Sequence, residues 1–174
     1  FVGIGVPDEL LSALETQFLD TGHPQDLSTV FAAGQGDGKD RGLNRLGHEG
    51  LLKSVIGGHW GLIPKVAKLA IDGKIKGWNL PQGCISQLFR DIAAGKPGML
   101  SKVGLETFVD PRQGGGAINE ISSEAQVELM EIAGDEVLYY PAPKLSVALL
   151  RGTTADEAGN VTMEKEALLI DNLA

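Results

Sequence analysis

Residues 27–38 read LSTVFAAGQGDG, and this stretch decides the fold. Residues 27–33 are rich in strand-forming side chains, and the glycine-rich loop at 34–38 follows them directly. Residues 1–6 likewise predict the end of a strand, and Pro7 fits the first turn of a helix whose apolar residues recur at helical spacing up to Leu19. Because strand, glycine turn and helix alternate in this way, we expect a parallel α/β sheet.

The same alternation continues along the chain. Residues 64–72 place Val66, Leu69 and Ala70 on one face, as a helix packed against a sheet requires. Residues 81–83, PQG, are typical of a turn between a strand and a helix. The elements predicted in this part of the chain are strands at 51–56 and 75–80 and helices at 64–72 and 85–94.

The pattern changes after Gly98. Residues 107–116 contain a proline and three consecutive glycines, which predicts a long loop. Residues 127–132 and 136–140 predict a β-hairpin. The remaining predicted elements are a buried strand at 145–151, a polar turn at 153–160 and a short return strand at 161–164.

Composition fits one folded domain over residues 1–174. Glycine contributes 24 of the 174 residues, about double its usual share of ~7%. Charged residues are an ordinary 22%, and the glycines have no collagen-like period, so neither a fibre nor a disordered chain fits. We expect an α/β fold with an open, mostly parallel sheet flanked by helices and a β-hairpin extension.

Several classes of function are excluded by composition and charge. The single cysteine, Cys84, cannot form an internal disulfide or a thiolate zinc site, and we expect no metal. No apolar run approaches the ~18 residues of a membrane span. The 15 basic residues are outnumbered by 23 acidic ones, which argues against nucleic-acid binding. A small anionic ligand remains possible, because it needs only a few local donors.

The glycine loops do not match the nucleotide-binding motifs. Gly38 and Lys39 are followed by Asp40, where a P-loop requires serine or threonine. Gly34, Gln35 and Gly36 lack the third glycine of a dinucleotide fingerprint. Ligands of open α/β sheets nevertheless collect at the carboxyl ends of strands. Three turns in such positions, at 3–7, 34–38 and 81–83, favour a shared site for an anion or a carbonyl group.

Longer segments resemble a known family. The chain is similar, in order and along essentially its whole length, to the acetate/propionate CoA-transferases, family I enzymes that handle short-chain acyl groups. Those relatives are about three times as long, and this chain matches most of the first of their two similar α/β halves. The segments that carry the resemblance are GHEGLLK at 47–53, GGHWG at 57–61, NLPQG at 79–83, FRDIAAGKPG at 89–98, TFVDPRQ at 107–113 and RGTTAD at 151–156.

The resemblance implies a ping-pong reaction. A glutamate attacks the acyl-CoA thioester, gives an acyl-glutamyl anhydride and then a glutamyl-CoA thioester, and an incoming carboxylate reverses these steps. In the family this glutamate lies in the second half, in an E-x-G-x-x-G context. Glu49 and Glu106 do not match that context, so we expect the nucleophile and the catalytic second half to be absent from this chain.

The same resemblance assigns the opposite wall of the site to this chain. It implies that the turn containing Gly34 and Gln35 supports the oxyanion, and that Gln82 lies beside the catalytic glutamate. The other residues implied to bind substrate are Gly3, Gly5, Gly36, Gly83, Thr107 and Phe108.

Partners and location follow as expectations. We expect acyl-CoA and a short-chain carboxylate as substrates, no cofactor other than coenzyme A as substrate, and no nucleic acid or membrane. The missing half is expected in the same chain or on a partner, within a homo-oligomer. Because no signal segment precedes Phe1, we expect a cytoplasmic protein. The alternatives are a non-catalytic acyl-CoA-binding or regulatory module of the same fold and, less well matched, a sugar-phosphate isomerase.

Overall fold

The structure is a computed structural model that describes residues 5–165. Three parallel strands, in the order β1-β2-β3, form its central sheet. In the register, Thr29 lies opposite Val55, and Val55 lies opposite Gly77. Parallel pairing brings the carboxyl ends of all three strands to one edge. Their bounds are Leu27–Phe31 for β1, Leu52–Gly57 for β2 and Lys76–Asn79 for β3.

Helices cover both faces of this sheet. Adjacent strand residues point to opposite faces, and Phe31 and Val55 pack into one apolar core while Val30 and Ile56 pack into a second. The first core includes residues of α1 and α2, and the second includes α3. The helices run Asp8–Thr21 (α1), Pro64–Ile71 (α2) and Gln82–Ala93 (α3). The predicted inward face of α2 is confirmed, because Val66, Leu69 and Ala70 are all buried.

Antiparallel strands form a second sheet in the order β4-β6-β5. The predicted hairpin is confirmed as β5, Glu128–Ile132, and β6, Asp135–Pro141. Its turn has positive φ at both Ala133 (54°) and Gly134 (85°), the pattern of a type I′ turn. The first strand of this sheet, β4 at Gly98–Ser101, was not predicted. The open parallel sheet flanked by helices, with its hairpin extension, is confirmed.

The prediction of a buried strand at 145–151 is wrong. These residues have no strand pairing, and Val147 is 75% exposed. A strand needs a neighbour for its backbone hydrogen bonds, and none pairs with this segment within residues 5–165. The short hairpin that follows, β7 at Thr154–Ala155 and β8 at Val161–Thr162, confirms the predicted return strand over its first two residues. The strand predicted at 1–6 lies mostly outside the described residues.

Candidate functional site

Three loops meet at the carboxyl edge of the parallel sheet. The chain leaves β1 at Phe31, β2 at Gly57 and β3 at Asn79. Backbone hydrogen bonds join them: the N–H of Gly58 donates to the carbonyl of Phe31 (3.3 Å), and the N–H of Leu80 donates to that of Gly57 (3.0 Å). The predicted turns at 34–38 and 81–83 therefore lie at one edge, as the sequence indicated.

Gly34 is used to pack two of these loops together. Its N–H donates to the carbonyl of His59 (2.6 Å), and a Cβ at this position would overlap that same oxygen. This glycine permits close contact between backbones. Support of an oxyanion by the turn that contains Gly34 stays a prediction.

The rest of the loop after β1 is fixed by a buried side chain. Asn44, which is fully buried, donates from Nδ2 to the carbonyls of Arg41 (3.1 Å) and Leu62 (2.9 Å). Its Oδ1 accepts from the N–H of Lys65 (3.2 Å) at the start of α2. Gly36 packs beside Asn44 with no room for a Cβ. Within the loop, the Leu43 N–H donates to the carbonyl of Gln35 (2.8 Å), and this hydrogen bond holds the turn that contains Gln35.

The turn predicted at 81–83 is the first turn of α3. The carbonyl of Pro81 accepts from the N–H groups of Cys84 (2.9 Å) and Ile85 (3.1 Å), so α3 begins at Gln82, three residues earlier than predicted. Gln82 and Gly83 are exposed, and a Cβ added to Gly83 would meet nothing within 4 Å. Neither of their N–H groups has a hydrogen-bond partner among residues 5–165. Two backbone donors thus face outward at a helix N-terminus, where partial positive charge collects.

Gly58 and Asn79 fix the position of this helix start. A Cβ on Gly58 would lie 2.7 Å from the Cα of Gln82, so the two loops are in direct backbone contact. With its amide oriented to satisfy its neighbours, Asn79 donates to the carbonyls of Gly57 (3.2 Å) and Gly58 (3.3 Å). Sequence reasoning did not single out this side chain, although it lies within the NLPQG segment.

The loop at 107–116 reaches the same edge. The N–H of Asn79 donates to the carbonyl of Gly116 (2.7 Å), and the N–H of Gly116 donates to that of Phe108 (2.9 Å). The Thr107 hydroxyl donates to the carbonyl of Gly104 (2.8 Å), so it serves the turn itself. Phe108 is 56% exposed. The loop therefore carries an exposed aromatic ring near this edge of the sheet.

The start of α1 is joined to the loop after β1 by a carboxylate. Asp8 accepts from the N–H of Gly42 (2.8 Å) and from Nε of Arg45 (3.0 Å), and these donors lower the pKa of Asp8. Arg45 also pairs with Glu15 (3.1 Å). Gly5 lies three residues before the start of this helix and has φ 82°. The turn containing Gly5 is therefore held beside the turn containing Gly36, whereas Gly3 lies outside the described residues.

The remaining features lie away from these loops. Cys84 is buried, and burial raises the pKa of its thiol. A cavity of about 450 Å³ opens on the sheet face at Ser28, Ser54 and Lys76, toward the amino ends of the strands. Within the described part of the chain, no three histidine, cysteine or acidic side chains are grouped to hold a metal. No helix of the same part is long and apolar enough to cross a membrane.

Comparison with known proteins relates this architecture to one family. The family model described as coenzyme A transferase matches residues 1–174. A caffeate CoA-transferase from Acetobacterium woodii is 45% identical over 170 residues, and the acetate CoA-transferase YdiF of Escherichia coli K12 is 42% identical over 171 residues. Each alignment covers 98% of this chain, which spans about a third (32%) of the length of these relatives.

Solved structures give the same relation. An acyl-CoA transferase (YdiF) from Escherichia coli O157:H7, in a thioester complex with CoA, superposes with a TM-score of 0.87 at 40% identity over 94% of this chain and 32% of its own. Glutaconate coenzyme A-transferase from Acidaminococcus fermentans shares the fold, with a TM-score of 0.70 at 14% identity over 99% of this chain and 55% of its own. By sequence and by fold, this chain belongs to the coenzyme A transferase family.

Proposed function

We propose that this chain is part of an enzyme that transfers coenzyme A between a short-chain acyl-CoA and a free carboxylate. Family membership supports CoA transfer, and relatives named for acetate support a short acyl group. The observation that carries the proposal is the pair of outward-facing N–H groups at Gln82 and Gly83. They lie at the carboxyl edge of the sheet, where ligands of open α/β folds bind.

The chemistry needs a nucleophile that this chain does not supply. A glutamate outside residues 1–174 would attack the thioester carbonyl, whose oxygen becomes an oxyanion. Departure of the CoA thiolate then gives an acyl-glutamyl anhydride, and the thiolate attacks the glutamyl carbonyl and releases the first carboxylate. The resulting glutamyl-CoA thioester passes CoA to the second carboxylate by the reverse steps.

In this proposal the described loops form the wall opposite that glutamate. The N–H groups of Gln82 and Gly83 donate to an oxyanion. Such donors stabilise the transition state because the fold holds them in place before the negative charge develops. The neighbouring turn, which contains Gly34 and Gln35, supports the oxyanion. The residues proposed to line the substrate are Gly3, Gly5, Gly36, Thr107 and Phe108. No metal takes part, and coenzyme A is a substrate rather than a resident cofactor.

The rest of the protein belongs to the same proposal. The relatives of about three times the length indicate a second part in the same polypeptide. An acetate CoA-transferase subunit alpha from Escherichia coli is 27% identical over 167 residues. The alignment covers 96% of this chain and 66% of that subunit. The second part could therefore instead be a separate partner subunit. We place the complete enzyme in the cytoplasm as a homo-oligomer.

The test compares two substitutions at one position of the full-length protein. Gln82→Ala removes only the side chain, whereas Gln82→Pro also removes the N–H. Proline is tolerated in the first turn of a helix, and Pro81 already has the extended backbone that a following proline requires. We expect Gln82→Pro to lower kcat by about 10²–10³-fold relative to Gln82→Ala, the usual effect of losing one oxyanion donor.

The readout is CoA transfer from acetyl-CoA to propionate, with mass spectrometry of the protein for a glutamyl-CoA adduct after incubation with acyl-CoA. Equal rates for the two variants would show that the N–H of Gln82 takes no part in the reaction. Neither transfer nor adduct in the wild-type protein would reject the enzyme in favour of a non-catalytic acyl-CoA-binding module. Residues 1–174 alone are expected to transfer no CoA, since they lack the nucleophile.

A further inference from the structure

The loop at 107–116 is built around a carboxylate with no contact with solvent. Asp110 is fully buried. Its Oδ1 accepts from the backbone N–H (3.0 Å) and Nε (2.9 Å) of Arg112, and its Oδ2 accepts from Nη2 of Arg112 (2.7 Å) and the N–H of Glu106 (3.0 Å). Four donors converge on one side chain that the proposed reaction does not use.

Arg112 joins this loop to the antiparallel sheet. Its Nη1 lies 3.1 and 3.2 Å from the two carboxylate oxygens of Glu136, the second residue of β6. The Glu136 side chain is 56% exposed, whereas that of Asp110 is 0% exposed. Because solvent weakens exposed ion pairs, the buried partner is the one that fixes the guanidinium. Arg112 therefore contacts one buried and one exposed carboxylate, and substitution of each can be compared.

The loop is continuous with the candidate site through backbone hydrogen bonds. Phe108 accepts from Gly116, and Gly116 accepts from Asn79, the last residue of β3. A Cβ on Gly116 would lie 2.6 Å from the carbonyl oxygen of Asn79, so the loop packs directly against the strand end. Asn79 precedes the outward-facing start of α3 by three residues.

Phe108 is the exposed side chain that this loop carries. Its neighbours Val109 and Asp110 are buried, while its own side chain is 56% exposed. Exposed aromatic rings on rigid loops are suited to contact an apolar ligand group. We propose that Asp110 and Arg112 are positioning residues that set the Phe108 ring beside the acyl chain, and that this ion pair therefore governs discrimination between acyl chains of different length. The inference rests on the CoA transfer proposed above.

The test measures the ratio of kcat/KM for acetyl-CoA to kcat/KM for butyryl-CoA in the full-length protein. One methylene in an apolar pocket is worth roughly 10–200-fold in selectivity, so we expect Phe108→Ala and Asp110→Asn each to change this ratio by on the order of tenfold. Glu136→Gln is the matched control, because it removes the exposed partner of the same arginine and should change the ratio by less than about twofold.

A double variant separates positioning from general destabilisation. If Asp110 acts through Phe108, Asp110→Asn should add no further change of the ratio in the Phe108→Ala background. Should Asp110→Asn fail to fold, Arg112→Lys replaces it, because lysine keeps the charge and loses the two-pronged contact. Circular dichroism and Tm report folding in each case.

The outcomes are distinct. A lower Tm with an unchanged ratio, or additive changes in the double variant, overturns the inference and leaves CoA transfer intact. A wild-type protein that transfers CoA from neither donor overturns the proposed function, and this inference with it. A shifted ratio that disappears in the Phe108→Ala background supports the assignment.

Discussion

The loops at the carboxyl edge of the parallel sheet and the segment at 142–165 differ in what surrounds their backbone. At the edge, Gly34 and Gly58 have other backbone atoms where a Cβ would stand. In the segment, residues 144–150 are all exposed, and Val147 is 75% exposed despite its apolar side chain. Apolar sequence alone therefore does not identify the fixed part of the molecule; close contact between backbones does.

The largest expected effect is at Gly58. Gly58→Ala forces the carbonyl of Ala32 and the Cα of Gln82 apart, since the new Cβ would lie 2.7 Å from the latter. We expect a loss of about 1–3 kcal/mol in the free energy of unfolding. In the full-length enzyme we expect a loss of about 100-fold in kcat/KM, because Gln82 moves. Urea unfolding and steady-state kinetics measure the two effects.

The matched control for stability is Gly83→Ala, where the new Cβ has open space. Alanine in a helix is favoured over glycine by roughly 0.5–1 kcal/mol, so this variant should be slightly more stable than wild type. Equal destabilisation by the two substitutions would contradict the contrast between backbone contact and open space.

The second effect is the dependence of stability on pH through Asp110. The guanidinium of Arg112 holds the pKa of Asp110 well below its usual value near 3.8. The ionised carboxylate therefore stabilises the folded state above about pH 4, and this contribution is lost as the pH falls through the lowered pKa. Asp110→Asn should flatten the decline of Tm between pH 5 and the acid limit. Glu136→Gln, measured alongside, is the control at the exposed carboxylate that contacts the same arginine.

A smaller effect is expected where α1 meets the loop after β1. Asp8→Asn removes the charge that pairs with Arg45, at a side chain that is 31% exposed. We expect a loss of about 1 kcal/mol in the free energy of unfolding, in keeping with a partly exposed ion pair. Lys68→Gln, which breaks the exposed ion pair between Lys68 of α2 and Asp72 just after it, is the comparison and should cost less. The reverse order would mean that Asp8 does not hold the two turns together.

The smallest effect is expected in the segment at 142–165. Leu149 is 40% exposed, so Leu149→Ser in the 174-residue chain should change the free energy of unfolding by less than about 0.5 kcal/mol. Chemical unfolding of the two chains checks this. A loss of several kcal/mol would show that the segment is buried after all, and would remove the contrast with the carboxyl edge.

Local sequence patterns predict the elements whose packing is local. Helix α2 and the β5–β6 hairpin show their apolar spacing and turn residues directly. Strand β4 escapes such reasoning because its four residues are defined by pairing with Tyr139 and Tyr140, about forty positions away. The segment at 145–151 has the opposite problem: its composition favours a strand, but no described strand pairs with it.

The candidate site divides in the same way. Glycine turns after strands indicate the carboxyl edge, and the NLPQG segment indicates the start of α3. The engagement of the Gly34 N–H by His59, and the roles of Asn44, Asn79 and Asp110, depend on residues that are distant in sequence or on a buried position. No spacing rule marks those side chains, although DPR at 110–112 brings a carboxylate and a guanidinium close together.

The type I′ turn at Ala133 and Gly134 has a consequence for the order of folding. Strands β5 and β6 are joined by two residues, so they can pair within about 1–10 μs, the usual time for a hairpin. The parallel strands β1, β2 and β3 pair only after long connections close, which is intrinsically slower. The hairpin is therefore expected to form while the loops of the candidate site are still unformed, leaving the unpaired parallel strands open to aggregation during that interval.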